Sequence, residues 1–270
     1  MKITVYIPCY NSEKTIFQCI KSLKDQSLKP DEIILINDSS TDKTVEIAKK
    51  LKIKICNHKT NKGIAAARNT ALKISKNNLV AGIDSDSVAD KDWLKLLYKT
   101  MKEEKAVLVG GNVDETIKTF ADKWRSIHMN QGWGDKKIIN PNYIAGNNFL
   151  CSKKELLNIG GYDETFKTNY EDVDISQRLK YNNDKIIYEP KAKVQHFVED
   201  NTKTVLDRHW RYMFWDYPVP NNARNKINKF FINAYTGITF WWNDSLSDAE
   251  LIFIDLRLFW HHTWKDFKFK

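Results

Sequence analysis

A chain of 270 residues, 42% hydrophobic and 29% charged, has the make-up of a folded globular protein, which excludes disordered, collagenous and repeat-built classes. Its length suits one large domain, or a catalytic domain with an appendage. Forty-three Lys and Arg against 34 Asp and Glu leave a formal charge of +9, which points to polyanionic company: nucleotide phosphates, an anionic polymer or an acidic membrane surface.

The first half alternates short apolar runs with helical patterns. Residues 3–7 read as a buried strand, and 14–26 as a helix with Ile16, Cys19, Ile20 and Leu23 at helical spacing. Further strands are expected at 32–37, 53–56 and 79–83, and helices at 42–51 and 63–75. Such alternation predicts an α/β fold with a mostly parallel sheet flanked by helices. A helix at 92–105 and a strand at 106–113 close a nucleotide-binding half, about 1–113. Residues 116–141 are poorly patterned and read as a helix plus a loop. A strand at 143–151, a helix through Leu157, the turn Gly160-Gly161, a helix at 171–182 and a strand at 185–189 make an acceptor half, about 114–204. After Lys203 the composition shifts, because six of the nine tryptophans (Trp210, Trp215, Trp241, Trp242, Trp260, Trp264) fall there. Residues 205–270 read as an aromatic-rich helical extension.

The uncharged stretch from Phe230 to Asn243 is well short of the ~20 apolar residues of a spanning helix. The residues before Pro8 offer no apolar core of a signal peptide and no cleavage site, so a cytoplasmic protein is expected. Cys9, Cys19, Cys56 and Cys151 form no CxxC pair, which disfavours a zinc knuckle or a disulfide framework.

Open α/β sheets bind ligands beyond the carboxyl ends of their strands. The polar residues after each strand are therefore the candidates: Pro8, Tyr10 and Asn11, then Asn37 to Ser40, then Asp84, Ser85 and Asp86. Asp84 and Asp86 can offer hard oxygen ligands to a divalent cation, which would neutralise phosphate oxygens; the same pattern also suits a solvated turn. Asp38 can accept from the N–H of a uracil-type ring or cap the next helix. Gly63 opens a helix whose free N–H groups favour anions, and Arg68 reads either as a phosphate contact or as a solvated helix residue. Asp174 and Arg178, one turn apart, suit a supporting ion pair.

Taken together, Ile7 to Asn11, Asn37 to Asp42, Asn61-Lys62-Gly63 with Arg68-Asn69, Asp84-Ser85-Asp86, Gly160 to Glu164 and Glu171 to Asp174 resemble family 2 of the GT-A-fold glycosyltransferases, over about residues 1–200. The resemblance implies inverting transfer of a sugar from a nucleotide-diphosphate sugar to a hydroxyl of a glycan or lipid-linked acceptor, with Mn2+ or Mg2+ at the aspartates. Carried over, Pro8, Tyr10 and Asn11 would line the nucleotide and Asp38 would contact the base. Gly63, Arg68, Asp84 and Ser85 would join them on the donor, Asp84 facing ribose or sugar. Asp86 would hold the metal, and Asp172, paired with Glu171, would be the general base. His196 would meet the metal or diphosphate, the alternative being a hydrogen-bonded surface histidine, and Asn147 and Asn148 would border the sugar. A carboxylate base suits inversion, because the acceptor hydroxyl must lose its proton as it attacks opposite the leaving diphosphate. Gln177-Arg178-Leu179 departs from the Gln-x-x-Arg-Trp motif of processive synthases, which favours addition of a single sugar.

Rival readings are weaker. An inactive sugar- or nucleotide-binding module would lack Asp86 or Asp172, and both are present. A sugar-phosphate nucleotidyltransferase wants a Gly-rich basic loop where Pro8-Cys9-Tyr10-Asn11 stands. Nucleic acid is not an expected partner, since 7 arginines among 43 basic residues leave little bidentate readout. The extension, with aromatic stretches at 210–215, 230–242 and 251–264, suits a peripheral membrane face, an acceptor or homodimer surface, or packing onto the catalytic domain.

Overall fold

The computed structural model describes residues 2–216 and 223–268, with the side chains of 214–227 and 249 outside the described set. The side chains of Phe214 and Trp215, singled out in the aromatic extension, therefore lie outside the described residues. The chain divides into two compact units, one of residues 1–114 and 131–197, the other of 115–130 and 198–270. The division differs from the sequence boundary near 204, because the helix at 120–128 buries Ala121 and Trp124 with Val205, Leu206, Leu251, Ile254 and Leu258.

In the first unit, strands β1 (Ile3–Cys9), β2 (Glu32–Asn37), β3 (Lys54–Asn57) and β4 (Leu79–Ile83) alternate with helices α1 (Ile16–Lys24), α2 (Thr44–Lys50) and α3 (Ile64–Ile74). These four strands are parallel, β1 lying between β2 and β4 with β3 outside β2. Every residue of β1 is buried, as a continuous apolar strand covered on both faces requires. Next in chain order come β5 (Ser87–Ala89), α4 (Trp93–Glu104), β6 (Leu108–Glu115), then α5 (Phe120–His128), which belongs to the second unit, and again in the first β7 (Ile138–Ile139), β8 (Asn148–Ser152), α6 (Lys153–Asn158), α7 (Glu171–Tyr181) and β9 (Ile186–His196).

The sheet has nine strands in the order β3-β2-β1-β4-β8-β6-β9-β5, with β7 also on β9. Beyond β4 antiparallel pairs enter: β8 runs against β4 and β6, and β5 and β7 run against β9. The first four strands thus form the parallel run that the alternation predicts, and β8 is the strand that interrupts it, leaving β6 running in the same direction as β4. The alternation that demands helical crossovers stops there, since Asp84-Ser85-Asp86 alone separates β4 from β5. The strand expected at 185–189 runs on to His196 as one long strand, β9.

Helices cover both faces of the sheet. Ile16, Ile20 and Leu23 of α1 and Leu94 and Leu97 of α4 pack with Val5 and Ile7 on one side. Ala65, Ala67, Ala71 and Leu72 of α3 and Ile175 and Leu179 of α7 pack with Tyr6, Ile34 and Phe149 on the other.

The second unit is helical: α5, α8 (Thr202–Asp216), α9 (Ala223–Ser247), a 3-10 turn (Ala249–Leu251) and α10 (Ile252–Lys268). A capping box starts α5, the Thr119 hydroxyl accepting from Asp122 N–H while the Asp122 carboxylate accepts from Thr119 N–H. Arg125 is buried among Glu115, Asp122 and Asp200, at 3.0, 3.1 and 2.5 Å. Trp124 Nε1 donates to Asp255 Oδ1 at 2.7 Å. Burial, with Asp244 beside it, pushes the Asp255 carboxyl up to about 7. Among the described residues, no helix is long and apolar enough to cross a membrane.

Candidate functional site

The loops after β1, β2 and β4 meet at the carboxyl end of the parallel strands. Asn11 stands at φ 51°. Its Oδ1 accepts from Thr41 N–H at 2.8 Å, and its N–H donates to Ser40 Oγ at 3.0 Å. The hydroxyls of Ser12 and Ser85 lie 2.7 Å apart, which fastens the first loop to the third. Pro8 is buried and Tyr10 is 52% exposed at this edge.

Asp38 and Gly63 serve the protein's own backbone. Asp38, 4% exposed, accepts from the N–H groups of Lys62 and Gly63 at 2.9 and 2.8 Å and from His58 Nδ1 at 2.7 Å. The helix cap expected of it is not formed, since α2 is preceded by Lys43, and its two oxygens shape the 58–63 loop. The anion-binding N–H expected at Gly63 is the one given to Asp38. Gly63 has φ +90°, and a Cβ there would sit 2.6 Å from the Lys167 carbonyl oxygen, so only glycine fits.

Arg68 is not a solvated helix residue. It is 1% exposed and joins three segments: Nη2 to Asp84 Oδ1 at 3.1 Å, Nη1 to the Gly146 carbonyl at 2.6 Å, and Nε to Glu171 Oε1 at 3.1 Å. Burial opposes its charge, but Asp84, Tyr6 and Glu171 outweigh that and hold the guanidinium ionised. The run Ala65-Ala66-Ala67 before it is the legible signal, since small residues let α3 lie close to the sheet and draw the next side chain inward.

Around Arg68 the acidic residues gather. Burial raises the Asp84 carboxyl; Arg68 pulls it down, and Asp86 and Asp172 push it up. These mutual effects place Asp84, Asp86 and Asp172 in one electrostatic neighbourhood. Asp86 Oδ1 lies 3.5 Å from His196 Nε2, because the β5–β9 register sets Ser87 opposite His196. A histidine 110 residues downstream is thereby brought to the aspartate motif, and it is buried rather than a surface histidine.

Glu171 and Asp172 open α7 behind Tyr170, which is left-handed at φ 79°. The helix dipole favours acids in this first turn. Glu171 is 4% exposed against Arg68, and burial with Asp172 beside it pushes its carboxyl up to about 7. Asp172 is half-buried and accepts from Gly146 N–H and Val173 N–H, both at 2.9 Å. Burial raises its carboxyl against those donors.

Gly146 went unnoticed in the sequence. It gives its carbonyl to Arg68 and its N–H to Asp172, and a Cβ would meet Arg68 Nη2 at 2.7 Å and Asp172 Cβ at 3.3 Å. Asn148 does not border a sugar: it is fully buried, taking Trp93 Nε1 at 2.7 Å and donating to the Asn112 and Ala192 carbonyls. Asn147 is also buried and donates to Gln131 Oε1 at 2.8 Å. Arg178 holds Asp174 at 3.0 Å and the carbonyls of Ile159 and Gly161, at 2.7 Å each, the expected supporting pair.

The Asp86–His196 pair suits a cation such as Mn2+, since a carboxylate and a neutral imidazole are both competent ligands for it.

Comparison with known proteins gives the family and the fold. The family model described as Glycosyl transferase family 2 matches residues 4–174. Glycosyltransferase GlyG of Streptococcus pneumoniae serotype 4 is 29% identical over 175 residues, 58% of this chain and 58% of its own. Staphylococcus aureus TarS superposes with a TM-score of 0.62 at 20% identity, covering 88% of this chain and 43% of that one. GalNAc-T7, crystallised with UDP, GalNAc and Mn2+, gives 0.61 at 14% identity, covering 74% and 44%. The chain spans 16% and 58% of the length of the first two curated relatives it matches.

Proposed function

The chain belongs to glycosyl transferase family 2, and from that premise we propose that it transfers a single sugar, with inversion, from a nucleotide-diphosphate sugar to a hydroxyl of a glycan or lipid-linked acceptor. The observation that carries the reading is the cluster itself: Asp84, the Asp86–His196 pair and Asp172 share one electrostatic neighbourhood around the buried Arg68.

Pro8, Tyr10 and Asn11 border the nucleotide, and Asp84 faces its ribose or the sugar. Asp86 and His196 would hold Mn2+ or Mg2+; when bound, the cation neutralises the charge that builds on the leaving diphosphate. The presence of both UDP and Mn2+ in the crystal structure of a protein of the same fold, GalNAc-T7, supports a nucleotide-sugar donor and a divalent cation. Asp172 is the general base. It is less buried than its neighbour Glu171, and its raised carboxyl makes a stronger base than one in water. The N–H groups of Gly146 and Val173 fix its rotamer, which is the orienting a base requires. Glu171 faces Arg68 and acts as a positioning residue, holding the cation that links β4, the Gly146 turn and α7.

Thermal shift against a panel of UDP, GDP and dTDP sugars, with and without Mn2+, tests the reading. At least one donor raises the melting temperature of the wild type only with the metal, and Asp86→Ala and His196→Ala abolish the metal-dependent part. Failure of every donor to stabilise the wild type contradicts it.

A further inference from the structure

The outward faces of α9 and α10 carry a surface that the reaction does not use. In α9, Phe231, Tyr235, Ile238, Trp242 and Leu246 recur at helical spacing and are 59–75% exposed. In α10, Phe253, Leu256, Trp260, Trp264 and Phe267 do the same at 53–70%. The opposite, buried faces hold Asn233 and Asp244 on α9 and Asp255, His262 and Asp266 on α10. The two helices pack on each other through those faces, Asn233 donating to Asp266 Oδ2 at 2.7 Å and Phe230 meeting Phe259 at 5.0 Å between centroids. A helix that meets water turns its polar side outward. Here the order is reversed, and contiguous aromatic surface of this kind marks a docking face.

The charges say what docks. Asp244, Asp255 and Asp266 are buried, and Asp248 is bound to Lys123. Lys229 is buried and Lys265 is bound to Asp207. Among the described residues from Asn228 to Lys268, Arg257 and Lys268 are therefore the exposed cations, and Glu250 is the exposed acid. Both cations lie on the stripe itself, Arg257 Cζ 3.9 Å from the centroid of the Phe253 ring and Lys268 Nζ 4.2 Å from that of Trp264. Aromatic rings with basic side chains beside them match a headgroup layer, where rings sit at the acyl boundary and cations meet phosphates. A second copy of the chain fits poorly, because it would set these cations against their own kind. Among the described residues neither helix is both long and apolar enough to cross a bilayer.

We propose that α9 and α10 form a monotopic face that lies in the headgroup layer of an anionic bilayer. Their aromatic stripes enter the acyl boundary while Arg257 and Lys268 bind lipid phosphate.

Flotation with vesicles tests this, using the full chain and either pure phosphatidylcholine or its equal mixture with phosphatidylglycerol. The wild type floats with the mixed vesicles and stays behind with the pure ones, and salt weakens binding. Trp242→Ser with Trp260→Ser lowers the bound fraction about tenfold without moving the melting curve, since both side chains point to solvent. Arg257→Glu with Lys268→Glu lowers it as well. Quenching of the wild type's tryptophan emission by brominated mixed vesicles reads insertion without any variant. No flotation with mixed vesicles, or equal flotation with both kinds, overturns the proposal. So does a lipid-free dimer, seen by sedimentation, that the tryptophan variant breaks.

Discussion

Removing the Arg68 guanidinium tests the cluster most severely short of the chemistry. Arg68→Met keeps the apolar stem but leaves Glu171, 4% exposed, without the cation at 3.1 Å, and Asp84 without its own at 3.1 Å. Breaking a buried pair by taking one partner away costs about 3–5 kcal/mol, because the remaining charge is stranded. At roughly 2–4 °C per kcal/mol for a chain of this size, the melting temperature falls by about 6–20 °C. The loss depends on pH. Glu171 is already pushed up to about 7 with Arg68 present, so without the cation it stays protonated at pH 5 and the penalty there is smaller than at pH 8. Denaturant titrations followed by circular dichroism at both pH values, on Arg68→Met, Glu171→Gln and the double variant, measure each piece. The two changes are expected to be non-additive by about 0.5–3 kcal/mol, the double variant recovering part of the single's loss. A cost at pH 8 below about 1 kcal/mol, the range of an exposed pair, or strict additivity, would refute the claim that a buried ion pair organises the site.

Two further outcomes follow from local geometry. Asp255 is pushed up to about 7 in the fold while the unfolded chain ionises near the ordinary value. Its contribution to stability is therefore full below about pH 4 and falls away as the pH rises to about 7; Asp255→Asn, which keeps an acceptor for Trp124, raises the melting temperature by a few degrees (~3 °C) at pH 8 and little at pH 4. Gly63→Ala places a Cβ 2.6 Å from the Lys167 carbonyl oxygen at φ +90°, whereas Gly134→Ala, at φ +86°, meets nothing within 4 Å. The first should cost about 1–3 kcal/mol and the second about 1, so equal losses in denaturant titrations would show that backbone conformation alone, not the Lys167 contact, decides.

The parallel half of the fold was legible because each strand is a continuous apolar run and each helix has a periodic stripe. Leu79 to Ile83 reads as the same strand in the sequence and the structure, being bounded by polar residues on both sides. The antiparallel half was less so: β5 and β7, at three and two residues, are too short to carry a pattern. Of the site, Asp84, Asp86 and Asp172 declared themselves by following a strand or opening a helix. Arg68, Asp38 and Gly63 were found, but their protein partners were not, because a local sequence cannot show that a charge 103 residues away will be buried against Arg68. Gly146 was missed for the same reason, since its value lies in what approaches it from α3 and α7.

The central claim, that Asp172 takes the acceptor's proton in a site that binds the donor by other groups, is tested by comparing wild type and Asp172→Asn with one donor and Mn2+. Calorimetry reads donor affinity, and nucleotide release to water or acceptor reads turnover. The account predicts donor affinity unchanged within about threefold and turnover lowered by about 10²–10⁴-fold, the usual worth of a positioned base. Turnover that survives the substitution, or donor binding lost along with it, would contradict the assignment.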